Sequence, residues 1–213
     1  MHHVPALCVL VFSLCCVTFA HSRELVSPPG FVRTYVQSGE TLSDLTPRMD
    51  HWDLILKVNR IDEFHLPAGQ EILIPDMEQI SLAQQYMPVP VFYNDKTIAC
   101  ADRAVIVFLE DQFFGYYERG HLKHWGPVST GDEKHKTPTR RFAVTGKYRE
   151  YYSKKYDNAY MPHAQQLSGT DYFLHHGNLP GRPNSHGCVR LSKEDARFLY
   201  NVTRVNDIVW IVP

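Results

Sequence analysis

Residues 174–200 read LHHGNLPGRPNSHGCVRLSKEDARFLY. This stretch holds one cysteine, Cys188, with His175 and His176 upstream and His186 two residues before it. A free thiol is mostly protonated near neutral pH, and a neighbouring imidazole can take its proton to leave a nucleophilic thiolate. Gly187 removes side-chain bulk beside the sulfur. A carbonyl can then approach, and the amides of Gly187 and Cys188 can serve as an oxyanion hole. In an extended segment Arg190 shares a face with Cys188 and His186, where a guanidinium suits a carboxylate-bearing substrate. The residues alone leave four roles open for Cys188: a nucleophile, half of a disulfide with Cys100, a zinc ligand with His175 and His186, or an inert buried thiol. Nor do they choose the base among the three histidines.

Working outward, SKEDARFLYNV (192–202) reads as a helix. Ser192 and Asp195 form a capping box, and Ala196, Leu199 and Tyr200 line one face. The rest of the second half is β-rich: AVIVFL (104–109), QFFGYYERG (112–120), HLKHWGPVSTG (121–131), RRFAVTGKYREYY (140–152), DYFLHHG (171–177) and DIVWIVP (207–213). The fold expected over 102–213 is therefore mainly β, a sandwich or partly closed barrel with one or few helices.

Residues 31–76 form a separate pattern. FVRTYV alternates as a short strand, and SGETLSDL turns into a helix capped by Thr41 with Asp44. Pro47 should end that helix early. HWDLILKVNRI (51–61) places Trp52, Ile55, Leu56 and Ile61 on a second helical stripe, and LPAGQEILIP (66–75) is a turn and a strand. The result is a small βααβ module, joined to the β-rich domain by a linker at 77–101 with Pro88 and Pro90. Before it, VPALCVLVFSLCCVTFA (4–20) is uncharged and apolar, the core of a secretory leader over 1–20 with cleavage after Ala20. Left uncleaved, it would anchor the protein in a membrane. Cleavage removes Cys8, Cys15 and Cys16 and leaves Cys100 and Cys188.

A formal net charge of −1 argues against a nucleic-acid binder. Residues 101–213 carry 16 Lys+Arg against 12 Asp+Glu, whereas residues 1–100 carry 6 against 11. The basic half favours a substrate bearing carboxylates. His121, His124, His135 and His163 read as surface or groove residues, and Trp125, Tyr151, Tyr152 and Tyr160 as core or groove wall.

Two resemblances add to this reading. YVQSGETLSDL, ILKVNRI and LPAGQEILIPD together resemble a LysM module, which implies binding of peptidoglycan glycan strands, with contacts around Gly39–Thr41 and the Asn59–Ile61 turn. The stretch quoted first, with GPVSTGDEKHKTPTRRFAV and NAYMPHAQQLSGTDYFLHHG upstream, resembles the L,D-transpeptidase (YkuD) catalytic domain over roughly 100–213. That resemblance makes Cys188 the nucleophile and His175 its base, oriented by the main-chain carbonyl of His176. His186, Gly187 and Cys188 become the oxyanion region, Ser185 a support of the turn, and Arg190 a substrate-side residue. Ser185 and His176 are grouped with Arg190 on the substrate-binding side. Arg140 stands where the family usually has glycine.

The implied reaction is attack on a stem peptide at an L–D bond, release of D-alanine, and transfer of the acyl group to an amine, without a cofactor. That amine belongs to a second stem peptide or to a wall-attached lipoprotein. Alternatives with the same residues are an L,D-carboxypeptidase or endopeptidase, or a degenerate wall protein that only binds glycan. Carbapenems are the implied covalent inhibitors. The leader, with no wall-sorting tail after it, sets the expectation of a Gram-negative periplasmic protein.

Overall fold

The computed structural model describes residues 27–213, so the expected leader at 1–20 lies outside the described residues. Strand β1 (Phe31–Tyr35) pairs antiparallel with β2 (Glu71–Pro75). Between them lie α1 (Leu42–Leu45), a 3-10 turn (Met49–His51) and α2 (Trp52–Asn59). Asp44 caps α1 by accepting the Thr41 amide at 2.8 Å and the Thr41 hydroxyl at 2.7 Å. The helix stops at Leu45, two residues before Pro47. Val36, Leu42, Ile55 and Ile72 form the small core. The Asn59 side chain ties α2 to β2, donating to the Ile55 and Leu73 carbonyls and accepting the Leu73 amide at 2.8 Å.

The connecting stretch has more structure than its prolines announce. It contains a 3-10 turn (Met77–Gln79), α3 (Ile80–Gln84) and α4 (Lys96–Cys100). Ala83 is buried with Phe31 and Val58. Tyr86 stands edge-on to Phe31 at 5.4 Å and to Trp125 at 6.3 Å, so this stretch straps the module to the β domain. Such contacts use single apolar side chains, which leave no periodic trace in sequence.

The β domain is a closed barrel. Its strands are β3 (Ala104–Phe108), β4 (Phe113–Glu118), β5 (His121–Ser129), β6 (Arg141–Tyr148), β7 (Ala164–Leu167), β8 (Phe173–His176), β9 (Val189–Leu191) and β10 (Ile208–Val212), in the order β10-β3-β4-β5-β9-β8-β7-β6. Closure pairs every strand on both sides and removes exposed edges. The expectation of a sandwich or partly closed barrel thus resolves to a fully closed one. β3 is apolar throughout because both its faces are covered. Val105 and Val107 join the main core, and Ala104 and Ile106 pack with Ile98 of α4 and Tyr117.

On the main barrel core packs α5 (Lys193–Val202), through Ala196 and Leu199. Ser192 Oγ accepts the Asp195 amide at 3.0 Å. The reciprocal arm of the expected capping box is not made. The buried Asp195 carboxylate instead meets His124 Nε2 at 2.6 Å, which removes His124 from the groove and ties it beneath α5.

Two strand pairs are parallel, β10–β3 and β8–β9. The second positions the chemistry. Leu174 lies opposite Val189, and His175 opposite Arg190. Side chains alternate across a strand. Leu174, Val189 and Leu191 enter the core, and His175, Cys188 and Arg190 line a cavity on the other face.

Candidate active site

That cavity has a volume of about 240 Å³ and is walled by Tyr156, Tyr160, Met161, His186 and the three residues just named, among others. Cys188 is 7% exposed and packs with Met161, Ala164 and Phe173. Burial pushes its thiol pKa up. The Phe173 amide and the charges of Arg190 and Lys155 pull it down, and Asp171 pushes it up. In the resting site the thiol therefore keeps its proton at neutral pH.

His175 is 6% exposed. Its Nδ1 lies 2.7 Å from the His176 carbonyl oxygen. A carbonyl can only accept, so the proton sits on Nδ1 and Nε2 carries the free lone pair. Burial pushes the imidazole down to about 4, partly opposed by the His176 carbonyl and reinforced by Arg190. A neutral thiol and a neutral imidazole, both buried, thus line one cavity, an arrangement suited to proton transfer when a carbonyl arrives.

The turn carrying the cysteine is held from inside. Ser185 Oγ donates to the Cys188 carbonyl at 2.6 Å and accepts the Gly187 amide at 3.1 Å. Ser185 is 1% exposed, so its hydroxyl serves the turn and is not presented to a substrate. The Gly187 amide is likewise spent on the turn, which corrects the expectation that both amides at 187–188 are free. The Cys188 amide remains available for an oxyanion. Gly187 has φ +106°, and a Cβ there would sit 2.3 Å from the Tyr172 ring, so only glycine fits.

Other expected residues take different places. The His186 ring lies at the rim, between Tyr156 at 5.1 Å and His135 at 4.5 Å. Its carbonyl accepts the Tyr156 hydroxyl at 3.4 Å. Arg190 packs its aliphatic stem over Gly177 and is one of the residues that line the cavity. Burial lowers its pKa from the usual arginine value. His176 acts through its carbonyl on His175, and it also borders the cavity. Arg140 lies apart from the site, stacked over Phe142 at 4.5 Å. Trp125 belongs to the seam with the module. Cys100 and Cys188 are both free thiols, one exposed and one buried, which removes the disulfide reading. Among the described residues no group of three His, Cys, Asp or Glu is placed to hold a metal ion.

Thr137 supports the site without any signal in the sequence that it does so. Its hydroxyl donates to the Gly187 carbonyl at 3.0 Å and accepts the Gly131 amide at 2.8 Å. The Gly187 carbonyl and the Cys188 amide belong to one planar peptide unit, so Thr137 fixes the direction of the remaining oxyanion donor. TPT at 137–139 was visible in the sequence, but nothing in it said that the hydroxyl crosses fifty residues to reach the turn.

The module carries its own cleft of about 340 Å³, lined by Glu40, Thr41, Trp52, Glu63, Phe64 and Leu66 among others. The Asn59–Ile61 turn does not face it freely. Asn59 is used internally, and Ile61 is buried in a bridge to Pro180.

The arrangement defines a cysteine–histidine site built on a parallel strand pair of a closed mixed barrel. The chain belongs to the YkuD family, described as the L,D-transpeptidase catalytic domain, whose profile matches residues 102–211. Among solved structures, an L,D-transpeptidase from Xylanimonas cellulosilytica aligns at TM-score 0.57 and 20% identity, covering 75% of this chain and 78% of that one. One from Stackebrandtia nassauensis aligns at 0.53 and 23%, covering 65% and 67%. L,D-transpeptidase 3 from Mycobacterium tuberculosis, in complex with a faropenem-derived adduct, gives 0.47 and 20%, covering 53% and 60%. The chain spans only 58–59% of the length of three further L,D-transpeptidase structures. No curated protein matches it. The first two alignments bear on the fold alone.

Proposed function

We propose that the protein is a peptidoglycan L,D-transpeptidase with Cys188 as nucleophile and His175 as base. The observation that carries this reading is the His175 Nδ1 contact with the His176 carbonyl, which leaves Nε2 unprotonated in the cavity that also holds the buried thiol. When a stem peptide enters, Nε2 takes the Sγ proton and the thiolate adds to the carbonyl at the L–D bond. The oxyanion receives the Cys188 amide, with Thr137 holding that peptide plane. Collapse breaks the C–N bond, and the leaving D-alanine amine takes the proton from His175, leaving a thioester. An acceptor amine then adds to the thioester, loses its proton to His175 and becomes the new amide. Cys188 leaves as thiolate and recovers the proton. Water in place of the amine gives a carboxypeptidase outcome. Arg190 offers its charge to a substrate carboxylate.

The small domain at 31–76 acts as a LysM module, joined through 77–101 to the catalytic domain at 102–213. Support comes from its βααβ order and from an open cleft edged by Trp52, Thr41 and Phe64, the last 84% exposed. It holds glycan strands while the barrel works on their peptides. Residues 1–20 direct export, most naturally to a Gram-negative periplasm. The acceptor is a second stem peptide or the amine of a wall-attached lipoprotein.

Intact-mass measurement of the mature protein with a carbapenem tests the core of this reading. A stoichiometric adduct on the parent and none on Cys188→Ala is expected. A parent that stays unmodified with its thiol free would overturn it. Incubation with a defined stem tetrapeptide, with and without an amine acceptor, separates transfer from hydrolysis.

A further inference from the structure

We infer that Asp62 of the small module is a positioning residue for the catalytic turn, because it grips the tip of the loop that joins His176 to Ser185. The inference rests on the assignment of Cys188 and His175 made above. That loop, residues 177–184, has an active-site element at each end. At one end is the His176 carbonyl that orients the base. At the other is the Ser185 turn that holds the nucleophile.

The barrel anchors both ends of the loop. The Gly177 amide donates to the Leu191 carbonyl at 3.1 Å, and the Asn184 and Ser185 amides both donate to the Thr130 carbonyl at 2.9 Å. Ser129 Oγ donates to the Arg182 carbonyl at 2.8 Å. The tip is held by the module. The Leu179 amide donates to Asp62 Oδ2 at 2.8 Å, and the Asp62 amide returns to the Leu179 carbonyl at 3.0 Å. The Gly181 amide donates to the Arg60 carbonyl at 3.0 Å. Arg60 ends α2 in a left-handed conformation, φ 60°. Its guanidinium lies 5.5 Å from the Phe113 ring centre, so the contact is seated on the barrel wall.

The second carboxylate oxygen of Asp62 is spent inside the module. Oδ1 accepts the Phe64 amide at 2.9 Å and contacts His65 Nδ1 at 2.6 Å. One side chain therefore locks the 62–65 turn and reaches across 117 residues of sequence to the loop. Leu179 is fully buried. Removing its carboxylate partner leaves a shielded amide unpaired, and the tip must shift to satisfy it. A shift of under an ångström at either end misplaces the base or the oxyanion donor, and such errors are costly in rate.

The test uses the full mature chain. Asp62→Ala is expected to lower kcat for a stem tetrapeptide about tenfold with KM within about twofold. It should also move the pH profile of Cys188 alkylation by iodoacetamide, read by mass on the peptide that contains Cys188. Asp62→Asn keeps one oxygen that can accept the Leu179 amide while its NH2 cannot accept the Phe64 amide, and it should restore part of kcat. An Asp62→Ala protein with parental kcat and a parental alkylation profile would overturn the inference, even with a lowered melting temperature. Should Asp62→Ala not fold, Asp62→Glu displaces the tip by one methylene and carries the same expected loss of kcat. If the parent itself neither turns over peptide nor takes a carbapenem, the function assigned above fails. The alkylation profile of Asp62→Ala against parent still decides the role of Asp62.

Discussion

The barrel and the small module treat their reactive surfaces in opposite ways. The barrel hides its chemistry. Cys188 and His175 are both nearly inaccessible, and burial moves both pKa values toward the neutral forms. The module leaves its aromatic edge open, with Phe64 in solvent at the edge of a cleft of mixed polar and apolar lining. Covalent chemistry gains from a desolvated site in which fixed dipoles act strongly. The glycan proposed as the module's ligand is long, hydrated and polar, and an open groove would suit it better. The contrast explains why burial, not charge pairing, dominates the electrostatics of the site.

The sharpest way to break the contrast is Cys188→Ala. It should abolish peptide turnover and carbapenem adducts while glycan sedimentation stays at the parental level. Loss of both would make Cys188 structural. His175→Gln should follow, with a fall of roughly 10²–10⁴-fold in acylation rate measured by stopped flow, the range for a lost general base.

His175 also predicts two pH effects. With its pKa held at about 4, the acid limb of carbapenem acylation should fall near pH 4 and not near 6.5. The unfolded chain binds that proton near 6.5 and the folded chain only near 4. The folded state is therefore favoured above pH 6.5, and this contribution is lost progressively as pH falls toward 4. It amounts to roughly 3 kcal/mol. Urea unfolding at pH 7 and pH 4.5 checks this, and His175→Gln should flatten the difference.

Smaller effects come from the supports. Thr137→Val removes the hydroxyl shared by Gly187 and Gly131, with an expected loss of about 1–3 kcal/mol of stability in urea unfolding. Acylation should also slow by about tenfold. Phe64→Ala should be the mildest for the barrel, within about 0.5 kcal/mol in stability. It should leave acylation unchanged and weaken only glycan sedimentation. A slowed acylation in Phe64→Ala would blur the division of labour between the two parts.

Much of this organisation is legible in the residues themselves. β-rich apolar and aromatic runs mark most of the barrel strands, and the Ser192 stretch marks α5. The S-H-G-C turn with His175 upstream marked the site. What stayed hidden has a common physical cause. Thr137, Asp62 and the His124–Asp195 pair act through one or two hydrogen bonds between segments remote in sequence. Such bonds impose no periodicity and need only one polar residue at the right place. Barrel closure was hidden likewise, because it depends on which strands meet and not on how each strand reads.

Strand β10 pairs with β3 across about a hundred residues, Ile208 opposite Ala104, and also with β6. The strand that seals the barrel is thus the last of the described strands in chain order, whereas β1 and β2 of the module meet within 45 residues of chain. Contacts close in sequence form early, and distant parallel pairs form late. During synthesis the module can assemble while the barrel is still an open sheet with unpaired edges. The Asp62 grip then waits for its loop, and a competent thiol comes into being only as the final strand docks.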